Sequence, residues 1–186
     1  MEFRLAKLDD AGQLLSIYKP YVEKTAITFE YEVPTIEEFQ ERIEKNSKIF
    51  PYIVGIEDGK IIAYAYAGRY RERKAYDWVV ELSIYVDENE RHHGVGKQLY
   101  RKLLELLKRL NYQRAYACIT YPNYASISFH QSLGFTMLGI FEKSGYKFEQ
   151  WHGIAWMDIA LQESDVVEEV KGITELTKEE ITEVLY

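Results

Sequence analysis

The segment Val86-Asp87-Glu88-Asn89-Glu90-Arg91-His92-His93-Gly94-Val95-Gly96 carries the strongest chemical signal in the chain. It leads from a strand-forming run into a long amphipathic stretch. Gly94 and Gly96 let the backbone turn tightly and approach a ligand closely, which a side chain would prevent. Unpaired N–H groups at a helix start, together with the helix dipole, favour an anion. A phosphate-bearing ligand therefore suits this turn; a helix start with two purely structural glycines is the alternative. The turn is not a P-loop, because Gly96-Lys97-Gln98 lacks the Ser or Thr after Lys97 and the Gly five residues before Gly96. It is not a dinucleotide fingerprint either, since the third glycine position holds Leu99.

Four other groups of residues bear on chemistry. Glu81 lies mid-strand among apolar residues, where a carboxylate is costly unless it faces a cleft or a partner. It is either a general base or a structural strand acid. Cys118, the single cysteine, reads as a small apolar filler rather than a nucleophile, and rules out an internal disulfide. Of the four histidines, only His92 and His93 are close in sequence, and adjacent residues make a poor chelate, so no metal site is expected. Arg69, Arg71 and Arg73 form a basic run that either grips a carboxylate in bidentate fashion or is a solvated loop.

The elements that must position these residues follow from periodicity. Phe3 to Ala6 predicts a short strand, and Leu14, Leu15, Tyr18, Tyr21 and Val22 recur at helical spacing. Thr35-Ile36-Glu37-Glu38 matches a capping box and opens a second helix. Tyr52–Ile56 and Lys60–Gly68 flank Glu57-Asp58-Gly59, a hairpin signal. Trp78–Val86 predicts the next strand, and a helix over 94–110 carries Val95, Leu99, Leu103, Leu106 and Leu110 as one stripe. A strand over 114–120, a helix over 123–133 and strands over 135–142 and 154–161 complete a mixed α/β domain. Residues 163–186 change character: an acidic run is followed by Thr177-Lys178-Glu179-Glu180, which caps a short helix. The division expected is a domain over 1–162 and an acidic tail over 163–186.

Composition narrows the field. At 186 residues and 47% apolar content, the chain suits one folded domain with a true core. A net charge of −7 argues against nucleic acid as a partner. The longest apolar run, Ile61 to Ala67, is far short of a membrane span, and Met1-Glu2-Phe3-Arg4-Leu5 lacks a signal-peptide pattern. A cytoplasmic protein is expected. The 16 tyrosines suit a semi-polar pocket, although most would fill core and surface.

Arg91-x-x-Gly94-x-Gly96 after a strand ending in Val86 resembles the pyrophosphate turn of the GNAT superfamily of N-acetyltransferases. Asn123-Tyr124-Ala125-Ser126, His130 and Gly134-Phe135 resemble that family's second signature, in the right order and spacing. Arg73-Lys74-Ala75-Tyr76-Asp77-Trp78, Glu81, Ser83-Ile84-Tyr85-Val86, Thr28-Phe29 and Trp151-His152 look like its phosphinothricin and methionine sulfone/sulfoximine acetyltransferase branch. The likeness spans residues 2 to 161. One departure is Gly153, where that branch commonly has Asp after Trp-His.

The resemblance implies a mostly antiparallel central sheet flanked by helices, with a splay between its two central strands. It implies acetyl-coenzyme A as cosubstrate, a small amino-acid-like amine as acceptor, no metal, and a homodimer with the C-terminal strands near the interface. Holding the amine against the thioester would supply ~7–11 kcal/mol of the barrier. The cosubstrate would lie on Ile84, Tyr85 and Val86, on Arg91, His92, His93, Gly94, Val95, Gly96 and Lys97, and on Asn123 and Ser126. The Val86 N–H would polarise the thioester carbonyl. Glu81 would be the base, and His130 either the acid that protonates the departing thiolate or a helix residue satisfying a backbone group. Phe29, Arg73, Tyr76, Trp78, Trp151 and His152 would border the acceptor. A protein N-terminus or lysine as acceptor, and a non-catalytic acetyl-coenzyme A sensor, are the competing functions. The tail's Ile173, Leu176, Ile181, Val184 and Leu185 would pack against the dimer or stay disordered.

Overall fold

In the computed structural model, residues 1–90, 94–163 and 166–186 are described. Seven strands form one sheet in the order β1-β2-β3-β4-β5-β7-β6. These are β1 (Glu2–Leu5), β2 (Tyr52–Glu57), β3 (Lys60–Arg69), β4 (Val79–Val86), β5 (Arg114–Tyr121), β6 (Thr136–Lys147) and β7 (Gln150–Ala160). All neighbouring pairs are antiparallel except β4–β5, which is parallel. Five α-helices flank the sheet: α1 (Ala11–Lys24), α2 (Ile36–Ser47), α3 (Val95–Arg109), α4 (Tyr124–Gln131) and α5 (Lys178–Leu185). A mixed, mostly antiparallel sheet flanked by helices is the fold that the resemblance implied; the parallel β4–β5 pair lies at its centre. No described helix is long and apolar enough to cross a membrane.

Local chemistry explains the boundaries. The β2–β3 turn places Asp58 and Gly59 at φ 49° and 77°, the left-handed pair that a tight hairpin requires. Thr35 accepts from the Glu38 N–H while Glu38 bonds back to the Thr35 N–H, closing the capping box of α2. Thr177 and Glu180 repeat the device at α5.

The two faces of the sheet are built from different residues. Alternation along β3 sends Ala63, Ala65 and Ala67 to the face covered by α3, with its stripe of Leu99, Leu103, Leu106, Leu107 and Leu110. The intervening Tyr64 and Tyr66 go to the other face, where α1 and α2 bring Leu14, Tyr18, Tyr21, Phe39 and Ile43.

Residues 166–186 do not stand off the domain, which corrects the expected free or dimer-bound tail. Ile173, Leu176, Val184 and Leu185 are buried in the α3-side core, and α5 packs on α3 and β1. The strap is pinned by Ile173 N–H to Ile49 O (2.9 Å) and Lys102 Nζ to Val184 O (2.8 Å). Four apolar side chains spaced along a short segment are enough to seat it against the core on the α3 side.

Candidate active site

The parallel pair β4–β5 is hydrogen-bonded only through Val79↔Arg114, Val80↔Ala115 and Glu81↔Tyr116. Beyond Glu81 the strands diverge. Asp87 N–H bonds to Ile62 O, so odd-numbered β4 residues turn their backbone groups to β3. Those of Leu82, Ile84 and Val86 therefore face the opening left by β5. The opening is a cleft of about 70 Å³ lined by Leu82, Ser83, Ile84, Tyr85, Cys118, Asn123, Ser126 and His130, among others. An extended ligand with amide groups can complete the unpaired edge, as a strand would.

At the far end of β4, Gly94 caps α3 at φ 74°, a conformation that glycine adopts without strain. The first helical bond runs from Gln98 N–H to Gly94 O, so the amides of Val95, Gly96 and Lys97 precede the helical ladder. Gly96 lies against Ile84 and Val86, with room for only a Cβ in ordinary contact, so the helix start sits tightly on the cleft strand. These residues fit a phosphate-bearing ligand with an extended arm. The expected contacts from Arg91, His92 and His93 lie outside the described residues.

Val86 departs from its expected role. Its N–H donates to the Tyr21 hydroxyl (3.2 Å), which in turn donates to the Val86 carbonyl (2.6 Å). That amide is engaged by α1 and is not open to polarise a carbonyl, whereas Ile84 keeps its backbone edge toward the cleft. Asn123 caps α4, its Oδ1 accepting from Ser126 N–H (3.1 Å), while its side chain still lines the cleft.

His130 is buried, with both ring nitrogens partnered. Nδ1 donates to the Ser126 carbonyl (2.8 Å), a group that can only accept, so Nε2 is the acceptor for the Tyr100 hydroxyl (3.1 Å). Burial pushes the imidazole below the ordinary histidine range against the opposing pull of the Ser126 carbonyl. These partners favour the second of its two expected roles, a neutral residue that satisfies a backbone group. Cys118 faces the same cleft and is exposed there; partial desolvation and the nearby Glu81 raise its thiol.

Glu81 marks the fork itself. Burial raises its carboxyl above the ordinary range. Its charge is felt on one side by Cys118 in the cleft and on the other by Tyr66. Tyr66 lines a second, larger concavity of about 370 Å³ on the face covered by α1 and α2. Tyr and Phe side chains, among them Tyr18, Phe39, Tyr64 and Tyr66, supply its aromatic walls, and Glu30, Arg42, Lys45, Arg69 and Glu72 its charges. Tyr85 lines both concavities. Glu81 itself lines neither concavity; it is the last β4 residue paired with β5, next to Leu82, where the cleft begins.

The expected acceptor wall is not assembled in this way. Trp78 lies in the turn before β4, where its Nε1 donates to Glu168 O (2.7 Å) of the C-terminal strap. Tyr76 packs edge-on to Tyr70, Arg73 is exposed, and Trp151 is exposed against Tyr146. Phe29 and His152 do meet, with ring centroids 6.2 Å apart. Neither they nor the other four line the large pocket. Phe29 instead covers Gly145, where any Cβ would overlap its ring. At Gly153 a Cβ would lie 3.0 Å from the Phe141 carbonyl, so the glycine that replaces the branch's Asp lets β6 run close by.

Sequence reasoning missed the residue that holds this region together. Lys147, at the end of β6, is buried and donates to the carbonyls of Val22 (2.7 Å), Thr25 (2.8 Å) and Thr28 (2.9 Å). Burial lowers its ammonium against the pull of Glu30. The connection from α1 to α2, which brings Ile27 to the cleft and Glu30 to the pocket, is thereby tied to β6, and Thr120 Oγ1 ties it to β5 through Ala26 O (2.7 Å). Among the described residues, no group of three His, Cys, Asp or Glu is placed to hold a metal ion.

Comparison with known proteins agrees with this geometry. Residues 3–156 match the family described as the acetyltransferase (GNAT) domain. The chain is 31% identical over 156 residues to a phosphinothricin N-acetyltransferase of Streptomyces viridochromogenes, covering 84% of this chain and 85% of the relative. It is 29% identical to an L-methionine sulfoximine/L-methionine sulfone acetyltransferase of Salmonella typhimurium, over 88% and 96% of the two chains. A crystal structure of a GNAT superfamily phosphinothricin acetyltransferase from Sinorhizobium meliloti, in complex with AcCoA, superimposes with a TM-score of 0.86 at 30% identity, over 93% and 95% of the chains. The chain belongs to the GNAT acetyltransferase family.

Proposed function

We propose that this protein transfers an acetyl group from acetyl-coenzyme A to the amine of a small amino-acid-like acceptor, of the kind that the relatives' names give. The observation that carries the reading is the end of the β4–β5 pairing at Glu81, which opens the cleft at the next residue, Leu82, beside a carboxyl that burial raises. Acetyl-coenzyme A supplies the acyl group as an activated thioester when bound. The backbone edge of Leu82 and Ile84 holds its extended arm, Asn123 reaches it from the other wall, and the amides of Val95, Gly96 and Lys97 take the pyrophosphate. The Ile84 N–H, rather than that of Val86, donates to the thioester carbonyl. Glu81, directly or through water, takes the proton that the acceptor ammonium must lose before its nitrogen attacks. His130 keeps α4 in place against Tyr100. The walled pocket favours a small acceptor over a protein segment, which needs an open groove.

We also propose a homodimer through the outer edge of β6 and the adjoining hairpin. Leu138, Phe141, Phe148 and Trp151 are 51–58% exposed there, on a long edge strand that is a ready template for pairing. Phe141→Asp is expected to yield a monomer in sedimentation analysis. A cytoplasmic location accords with the lone free thiol, Cys118.

The test is free-thiol release from acetyl-coenzyme A with methionine sulfone, methionine sulfoximine, phosphinothricin, plain amino acids and a peptide. Release with the amino-acid-like amines supports the proposal. Release with the peptide alone, or silence across the panel with acetyl-coenzyme A still bound, overturns it.

A further inference from the structure

Residues 168–173 of the strap lie outside the span shared with the family and run behind the large pocket, not into it. Ile173 N–H donates to the Ile49 carbonyl (2.9 Å), and Gly172 lies against the carbonyls of Lys48 and Ile49. Lys171 N–H donates to the Leu110 carbonyl (3.0 Å), and Asn111 Nδ2 to that of Glu169 (3.0 Å). Glu168 O accepts from Trp78 Nε1 (2.7 Å). One short stretch thus bonds to three places far apart in sequence: the end of α2, the end of α3 and the turn that leads to Glu81. Between these anchors Val170 reaches a small cavity of about 120 Å³, which it lines together with Ile49, Phe50, Arg69 and Val79. Ile49, Phe50 and Arg69 line the large pocket as well. They form a wall with the pocket on one side and the strap on the other.

That wall needs outside support. Ile49 and Phe50 follow α2, and both their amides donate to the one carbonyl of Asn46 (3.0 and 2.9 Å). Helix ends fray, so this anchor by itself holds the wall loosely. The strap adds a bond to the Ile49 carbonyl and sets Ile173, 3% exposed, behind it. Among the described residues, no hydrogen bond from 168–173 reaches the β4–β5 cleft or the first turn of α3. We infer that residues 168–173 position the acceptor pocket: they fix the end of α2 against the turn before β4, and so set the Ile49–Phe50–Arg69 wall, while leaving the cosubstrate site alone. Ile173 and Trp78 are the positioning residues. The inference rests on the proposed acetyl transfer only in taking the large pocket as the acceptor's; the fixing of the wall is separable.

The experiment uses the full chain with Ile173→Asp, which places a charge where the strap is buried, Trp78→Phe, which removes only the bond to Glu168, and Ile173→Val as the conservative control. Steady-state kinetics with each substrate varied are run beside amide hydrogen exchange. Expected is a rise in KM for the acceptor of about tenfold in Ile173→Asp and about threefold in Trp78→Phe, the loss of one hydrogen bond. Both kcat and KM for acetyl-coenzyme A stay within about twofold, and Ile173→Val behaves as the unaltered protein. Exchange at Ile49 and Phe50 quickens while that at Leu99 and Tyr100 in α3 does not. An equal rise in both KM values, or an unchanged acceptor KM in both variants, overturns the inference and leaves the acetyltransferase proposal standing. Where Ile173→Asp does not fold, Trp78→Phe decides. Acetylation of no amine by the unaltered protein counts against the proposed reaction, and exchange alone then judges the strap: quickened exchange at Ile49 and Phe50 supports it, and unchanged exchange overturns it.

Discussion

The two faces of the sheet do opposite things with the same strands. On the α3 side, Ala63, Ala65 and Ala67 bring the strand close to a helix lined with fully buried leucines. On the α1–α2 side, Tyr64 and Tyr66 come from the intervening positions, and the large rings leave a pocket of about 370 Å³. Small residues give close, stiff packing, which suits the face that must hold the first turn of α3 in register with the β4–β5 cleft. Bulky amphipathic residues give walls, hydroxyls and space, which suits a face that must admit a second ligand. Glu81 belongs to the roomy face but stands where the stiff one opens.

Changes aimed at one face should leave the other intact, and that separation can be broken or sharpened by mutation. The largest effect is expected for Glu81→Gln, which should cut kcat/KM for the acceptor by about 100-fold or more with little change in KM for acetyl-coenzyme A. Steady-state kinetics with each substrate varied in turn checks it. Leu103→Ala, on the stiff face, should cost about 2–5 kcal/mol of stability in denaturant titration, because the leucine is fully buried under close packing. Acceptor selectivity should not follow. Lys147→Met should raise KM for the acceptor about tenfold by releasing the three carbonyls of the α1–α2 connection, while KM for acetyl-coenzyme A stays within about twofold. An equal rise in both constants would mean that Lys147 serves the fold at large. The smallest effect on turnover belongs to His130→Gln, expected within about threefold of the unaltered enzyme, with a stability loss of about 1–3 kcal/mol from the partners it leaves. A collapse of kcat with stability unchanged would restore it as the acid.

Much of the frame was legible because local rules govern it. Asp58-Gly59 could make little but a hairpin turn, and Thr35 with Glu38 and Thr177 with Glu180 spelled out helix starts. Gly94-Val95-Gly96 after Val86 located the start of α3, and Glu81 stood out as an acid in an apolar strand. The acceptor side was harder, because it is made by residues distant in sequence. The alternation Ala63-Tyr64-Ala65-Tyr66-Ala67 carried the contrast between the faces, yet only the approach of α2 turns Tyr64 and Tyr66 into a pocket wall with Arg42 and Asn46. Trp78 was drawn into the acceptor site by its nearness to Glu81, although it lies in the turn before β4 and its indole is bound to the C-terminal strap. Lys147 gave no signal, since one lysine at a strand end looks solvated until the fold closes three carbonyls around it. The apolar residues of the strap over 166–186 were legible, but not that Ile173, Leu176, Val184 and Leu185 join the chain's own α3-side core, because the surface that receives them is assembled by distant elements.

The central claim, that Glu81 is the base at the fork, is tested most directly by the pH dependence of kcat/KM at saturating acetyl-coenzyme A, compared with Glu81→Gln. Glu81 works as a base only when ionised, so activity should rise with pH as it loses its proton. Since burial raises its carboxyl, that rise should lie above the ordinary carboxylate range. In Glu81→Gln it should vanish, leaving only the rise set by the acceptor amine, near ~7.7–8.0 for a free α-amine. The same acid-side rise in both proteins, with comparable rates, would contradict the account and move the base elsewhere.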